Sequence, residues 1–394
     1  MTSSISGVNL NPKIAFIATI LLIAVIVLSF FLALNGFSSQ TSHRQFFVGV
    51  EYAYGNQTSE VKALVDKVKD YTNLFVIGSV ELTFNQTALD ESCDYIFNSG
   101  LNFIVLFTGI DRYNYSNGYT IMNWMVDAQH KYGDQFLGIY KIDEPGGNQI
   151  ENGPSQFIND TYASYSQTTQ AYVGNLSAMI NYYHPYSPNI FTADFALNWF
   201  DYKGNYTAVF AEFVGNESKQ RIIALDRGAA QAFHKDWGVI INWKYNQPPH
   251  YLESGDALYN DLALAYSAGA KYAFVFSYGD PNITDYGILE PEHFEALQKF
   301  WNTLHSNPDS FGSNKARAAY VVPADYGFGF RHPNDRIWGL FPSDILSTKI
   351  YNDVNNTMIP RYGSCFDIIY DEPNIIDPVL GNYSKIFYWN QTIG

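Results

Sequence analysis

The chain has 394 residues, a net charge of −15, 17% aromatic residues and 15% charged residues, against about 25% charged in an ordinary soluble domain. The negative balance excludes the basic face that nucleic acid or an anionic membrane surface requires. Two cysteines, Cys93 and Cys365, and eight scattered histidines without H-E-x-x-H or H-x-H spacing exclude a disulfide framework and a Cys- or His-rich metal site. No metal and no cofactor is expected. One Cys93–Cys365 bridge is compatible with the count, two free thiols being the plainer reading.

Residues 1–13 precede Ile14–Leu34, an unbroken run of 21 residues without a charge, which as a helix spans about 30 Å of hydrocarbon. The reading is a short cytoplasmic N-terminus, a single-pass anchor over 14–34 that tethers the chain to the cell membrane, and a linker over 35–44. A cleaved leader has an apolar core of about 7–15 residues; cleavage near Ala33 or Gly36 is the alternative. Lys13 and Arg44 orient the segment only weakly. Asn-x-Ser/Thr sequons settle it better: Asn56, Asn85, Asn114, Asn159, Asn175, Asn205, Asn216, Asn282, Asn355, Asn382 and Asn390 all lie downstream. They mark an extracellular, glycosylated ectodomain. Sparse charge with dense sequons reads as the composition of an archaeal cell-surface protein.

From 45 to 305 short apolar runs alternate with longer amphipathic ones. The predicted strands are Phe46–Val50, Leu74–Val80, Asn102–Phe107, Phe136–Ile142, Ile190–Ala193, Ala208–Phe213, Val239–Asn242 and Tyr272–Phe276, each β-branched or aromatic and closed by polar or Gly-containing residues. The predicted helices are Ser59–Tyr71, Leu89–Asn98, Ile121–Lys131, Ser164–Tyr183, Lys219–His234, Ser254–Ser267 and Pro291–Leu304, with apolar residues three and four apart. Eight strand-then-helix units specify an α/β fold, the (β/α)8 TIM barrel. The fifth crossover, between Asp194 and Asn205, holds at most a turn of helix. A six- or seven-strand barrel or a doubly wound open sheet therefore competes.

A polar stretch over 306–315 reads as a linker to a small C-terminal three-layer α/β domain over 316–394. Its predicted elements are strands Ala318–Val322, Phe366–Tyr370 and Lys385–Trp389 and a helix Ile345–Ile359. Its loop Pro323–Gly339 is read as packing, with contact at the barrel mouth as the alternative.

Barrel chemistry sits where the strands end. Glu51, Glu81, Asp111, Asp143, Glu144, Asp194 and Glu212 stand at or just past the first six strand ends. Any one alone reads as a solvated loop acid or helix cap. Glu144 stands out because Pro145 ends the strand directly behind it. Cleavage of a glycosidic bond needs one carboxyl protonated and a second ionised, and crowded acids supply the protonated one by raising a pKa. A spacing of about 5–5.5 Å gives retention and about 6.5–9.5 Å inversion. Glu212 is the better partner for Glu144, with Asp194 next, and Asp143 beside Glu144 completes the catalytic group. Glu51, Glu81, Asp194, Trp243, Lys244 and Tyr278 are the expected substrate-binding residues, with Tyr52, Tyr54 and Trp199 as further rim aromatics. Each aromatic alone reads as packing in a chain this rich in them.

Asp143-Glu144-Pro145 at the end of the fourth strand resembles the Asn-Glu-Pro of clan A barrel glycoside hydrolases, in which the Glu is the general acid/base. A barrel followed by a small α/β unit also resembles barrel β-galactosidases. The resemblance implies a glycoside hydrolase acting on carbohydrate, with Glu144 as acid/base. It departs at the seventh strand, where the clan places its nucleophilic Glu: Val239–Lys244 contains no acid, and Glu253 precedes a helix start. The competing expectation is a catalytically inactive barrel acting as a glycosylated cell-surface binding or structural protein. Non-sugar barrel chemistry is less favoured, since no phosphate loop, serine elbow or metal spacing is present. Oligomeric state is not legible.

Overall fold

The apolar runs of the sequence become parallel strands because their β-branched and aromatic side chains suit a sheet buried on both faces. The computed structural model describes residues 45–108, 113, 115–151, 156–160, 162–215, 217–245, 251–276 and 289–393. In chain order the strands are β1 (Phe47–Tyr52), β2 (Leu74–Ile77), β3 (Asn102–Phe107), β4 (Phe136–Lys141), β5 (Ile190–Asp194), β6 (Ala208–Val214) and β7 (Asp236–Asn242), a short ribbon of β8 (Lys244–Tyr245) and β9 (Tyr251–Leu252), and β10 (Tyr272–Phe276). Eight of them close into a parallel barrel ordered β1-β10-β7-β6-β5-β4-β3-β2. The open-sheet and smaller-barrel alternatives do not occur, since β5 and β6 pair from Phe191↔Ala208 to Asp194↔Ala211. The crossover between them is a six-residue helix, Asn198–Lys203.

Strand alternation sorts every side chain into the barrel or outward toward the helices. The interior is filled by one apolar cluster that includes Phe47, Leu74, Val76, Ile104, Leu106, Tyr140, Phe191, Ala193, Ala208, Phe210, Ile240, Tyr272 and Phe274. The intervening residues, such as Val209, Ala211, Ile241 and Trp243, belong to the outer core under the helices.

After the barrel, β11 (Ala318–Val322), β12 (Phe366–Tyr370) and β13 (Lys385–Tyr388) form a parallel sheet ordered β12-β11-β13. One of its covering layers is a barrel helix, Lys219–Ala232, where a Cβ on Gly228 would lie 2.4 Å from the Ile368 carbonyl oxygen. Phe46–Gly394 is thus one compact unit with a shared core. Arg227 on that helix fastens the seam. Its Nε donates to Asp367 Oδ1 at 2.7 Å, and its Nη1 and Nη2 donate to the carbonyls of Ala268, Asn314, Ser364 and Phe366.

Cys93, buried, and Cys365, half-buried, are both free thiols. The expected anchor at 14–34 lies outside the described residues, among which no helix is long and apolar enough to cross a membrane.

Truncating Arg227 would strand the buried Asp367 carboxylate, and breaking a buried pair on one side costs about 3–5 kcal/mol. Arg227→Met is expected to lower unfolding stability by that amount in urea titration; a loss under 1 kcal/mol would mean that the seam does not depend on it.

Candidate active site

The site is set by how the chain turns at the end of β4. Ile142 and Glu144 both take left-handed backbone conformations, at φ 60° and 50°, and Pro145 then starts the short helix Pro145–Ile150. For non-glycine residues this conformation costs of order 1–3 kcal/mol each, more so for β-branched Ile. The turn is held by Asp194, whose carboxylate accepts from four backbone N–H groups: Gly146 at 2.5 Å, Gly147 at 3.0 Å, Phe195 at 2.7 Å and Ala196 at 3.0 Å. The bonds from Gly146 and Gly147 reach across to the turn, and at about 1.5–3 kcal/mol for each hydrogen bond to a charged acceptor the two offset the strain of two residues. The close approach also explains Gly146-Gly147: added Cβ atoms would meet Asp194 Oδ2 at 2.7 Å and the Phe195 ring at 2.4 Å. Burial pushes the Asp194 carboxyl up, while hydrogen bonds from Asp201 and the backbone hold it down. Burial and the Asp194 charge drive the Asp201 carboxyl well up.

The turn delivers Asp143 and Glu144 to a cavity of about 490 Å³ at the C-terminal ends of the strands. Glu51 on β1 shares its inward parity with Phe47, Glu212 on β6 with Ala208 and Phe210, and Asn242 on β7 with Ile240; all three reach the same cavity. Tyr140 faces it from β4 and donates its hydroxyl proton to Asp143. Tyr54, Phe195 and Phe276 supply aromatic wall. Two guanidinium groups complete it: Arg221, paired with Glu217, and Arg331, whose Nη1 lies 3.0 Å from Glu151 and whose guanidinium sits 4.5 Å from the Phe195 ring centre.

The acids do not behave as independent carboxylates. Burial first and Asp143 second push Glu51 up to about 8, and burial raises Asp143 as well. Burial, then Asp143, raises Glu144 to about 7, and Glu212 is driven well up by burial and by Glu144. Glu144 and Glu212 are near enough to act on each other: Glu144 raises Glu212, and Glu212 in turn holds Glu144 down, so of the two Glu212 keeps a proton more readily. Four buried polar atoms of cavity residues, Glu51 Oε2, Glu212 Oε1, Arg221 Nε and Arg331 Nε, have no hydrogen-bond partner among the described residues. Unmet groups of this kind cost about 1–3 kcal/mol each, so the wall is suited to a polar ligand with several hydroxyl or ionic groups. No group of three or more His, Cys, Asp or Glu suited to a metal ion occurs among the described residues.

Of the residues singled out in the sequence, Glu51, Asp143, Glu144, Glu212 and Tyr54 converge on the cavity. Four others need correction. Glu81 is exposed because β2 ends at Ile77 and Glu81 rides the short helix Val80–Thr83. Asp194 has the outward parity of β5, opposite to Phe191 and Ala193, and acts as the buried cap just described. Trp243 follows inward Asn242, so it points outward, fully buried, with its ring 3.9 Å from that of His293. Lys244 is buried outside the cavity wall. Glu253 pairs with Lys219 at 2.8 Å, Trp199 Nε1 donates to Glu372, and Tyr52 donates to Glu60; none lines the cavity. Asp111 and Tyr278 lie outside the described residues.

Tyr140, Asn242, Glu151, Glu217, Arg221 and Arg331 line the cavity without having been selected from sequence. Alternation from Phe210 to Glu212 and from Ile240 to Asn242 is a signal that finds the strand residues; Arg331 comes from the loop Pro323–Gly339, which packs and also meets the barrel mouth, the alternative its sequence offered.

No family model matches the sequence, and no curated protein matches it. Among solved structures, alpha-L-fucosidase isoenzyme 2 from Paenibacillus thiaminolyticus is similar over 83% of this chain and 58% of its own, at 11% identity and TM-score 0.48. This chain therefore spans less than two thirds of that fucosidase. A GH5_18 protein from Bifidobacterium longum is similar over 89% and 98%, at 8% identity and TM-score 0.49. A truncated 3-deoxy-D-arabino-heptulosonate 7-phosphate synthase from Thermotoga maritima is similar over 68% and 88%, at 10% identity and TM-score 0.38. Likenesses this remote do not choose a chemistry.

The Glu51 proton has a consequence for stability. The folded protein keeps it up to about 8, whereas the unfolded chain releases it near 4.5, so its contribution is complete below 4.5 and is lost as pH rises through 8. At 1.36 kcal/mol per pH unit the contribution amounts to at most about 5 kcal/mol. The melting temperature is expected to fall from pH 5 to 8, with a shallower fall in Glu51→Gln; equal slopes in the two proteins would contradict the assignment.

Proposed function

We propose that the protein is a glycoside hydrolase, with Glu144 and Glu212 as its catalytic carboxyls. The single observation that carries this reading is the placement of Glu144 and Glu212 together on the wall of one polar cavity at the strand ends, where each shifts the other's pKa. One acid and one base on the same patch of wall is the state the reaction requires. With a glycoside inserted between them, the protonated carboxyl gives its proton to the leaving oxygen. The C–O bond breaks, and the ionised carboxyl either bonds to the anomeric carbon or removes a proton from the attacking water. Asp143, held by Tyr140, keeps the local charge negative, which stabilises the oxocarbenium character of the anomeric carbon. In keeping with the clan A resemblance, Glu144 takes the acid/base role, so the proton that Glu212 holds more readily passes to Glu144 as substrate binds and leaves Glu212 ionised.

The same reading places the barrel outside the cell, tethered by 14–34 to the membrane and glycosylated. The uncharged run and the one-sided sequons support it, and Asn56, Asn85, Asn159, Asn175, Asn382 and Asn390 are exposed. Asn205, bonded to Asn181 and Lys235, and half-buried Asn355 are poorer acceptors. Asn114, Asn216 and Asn282 lie outside the described residues. The second reading, a non-catalytic carbohydrate-binding barrel, is favoured by Asn242 standing in the cavity at the end of β7, where clan A has an acid.

The test uses full-length protein and a panel of glycosides whose leaving groups differ in basicity. General acid assistance is worth about 10²–10⁴-fold. Glu144→Gln is therefore expected to lose about that factor on alkyl glycosides and little on nitrophenyl ones, while Glu212→Gln loses both. No hydrolysis of any glycoside by wild type, with sugars still bound, would replace the hydrolase by the binding protein.

A further inference from the structure

We propose that Glu51 and Asp143 form a subsite for a protonated amine, so that the sugar taken by this cavity is an amino sugar with a free ammonium group. The inference rests on the cavity being a sugar site and names which class of sugar it takes. Charge makes the first argument. The wall carries six carboxyls and two guanidiniums, and both guanidiniums are engaged, Arg221 with Glu217 and Arg331 with Glu151. That leaves Glu51, Asp143, Glu144 and Glu212 with no cation among the described residues, in a chain of net charge −15. A uronic acid or sulfated sugar would add negative charge to a wall that already keeps protons on Glu51 and Glu212 to limit its own, whereas a cation lets those carboxyls ionise and is drawn in.

Placement makes the second argument. Glu144 and Glu212 are committed to each other, and Asp143 accepts from Tyr140. Glu51 is only 4% exposed, turns inward with Phe47, and its Oε2 has no partner among the described residues. Asp143 is close enough to raise the Glu51 pKa by its charge. An ammonium group brings three donors and a positive charge in one compact head. It satisfies Oε2 and at the same time removes the like-charge conflict between the two carboxyls, which a hydroxyl or an acetamide N–H does only by leaving one of them protonated. The approach of Glu51 to β2 is built in: a Cβ on Gly78 would lie 1.8 Å from Glu51 Oε1, so the residue there must be glycine for Glu51 to take this position.

The experiment measures binding of methyl glycosides of glucosamine and galactosamine, of their N-acetyl counterparts and of the parent hexoses to full-length protein at pH 7, by ligand-observed NMR. The amine is expected to bind at least tenfold tighter than both isosteres in one of the two sugar series, and Glu51→Gln, with its fold checked by circular dichroism, to abolish that preference. Binding of the amine equal to or weaker than its isosteres overturns the proposal whether or not Glu51→Gln folds, as does an amine preference that survives in a folded Glu51→Gln. Neutral glycosides hydrolysed with dependence on Glu144 but no amine preference would remove only this proposal. Amine preference without hydrolysis of any glycoside would keep the subsite and remove the hydrolase.

Discussion

Everything in this site hangs from the Asp194 carboxylate. It faces away from the barrel interior, yet by accepting from two N–H groups at the start of Pro145–Ile150 and two just past the end of β5 it ties the exit from β4 to β5 in a shape that Ile142 and Glu144 would not adopt alone. A negative charge at a helix N-terminus is stabilising in itself, and Asp201, driven further up by burial and by Asp194, holds the Asp194 carboxyl down against burial. Tyr172 extends the chain with a hydroxyl 3.1 Å from Asp201 Oδ1. A buried acidic relay outside the cavity thus does the mechanical work for the acids inside it.

The far end of the same short helix is fastened by the C-terminal region. Gln149 Nε2 donates to the Trp338 carbonyl at 2.9 Å and to Ile158 at 3.0 Å, and Ile150 packs so near Gly329 that a Cβ there would lie 2.9 Å away. Trp338 itself is wedged against Phe200 and Tyr172. The loop after β11 thereby joins packing to function, because the segment that buries Phe328, Phe330 and Trp338 also brings Arg331 to the cavity wall. The shared helix Lys219–Ala232 has the same double duty, carrying Arg221 at the cavity and Arg227 at the seam with β12.

The barrel was legible because each strand is a short apolar run with a longer amphipathic partner, and periodicity survives at every repeat except the fifth. Glu144 was legible because Pro145 marks the turn. Which other rim acids face inward depends on strand parity counted from the true strand end, and small errors there change the answer. Extending β2 to Val80 placed Glu81 on the rim, whereas the strand stops at Ile77. Asp194 and Trp243 sit one residue out of phase with inward Ala193 and Asn242. The loop Pro323–Gly339 reaches the barrel mouth, the alternative to pure packing that its sequence offers, but which of its side chains enters the wall is not legible, since the place of Arg331 depends on a fold-back of about 180 residues onto Glu151.

The most direct test of the account is the crystal structure of Asp194→Ala. With the cap removed, Ile142 and Glu144 should relax from their left-handed conformations, and the Glu144 carboxyl should leave Glu212. Finding both residues still at positive φ, with the two carboxyls still in contact, would show that something other than Asp194 holds the site together.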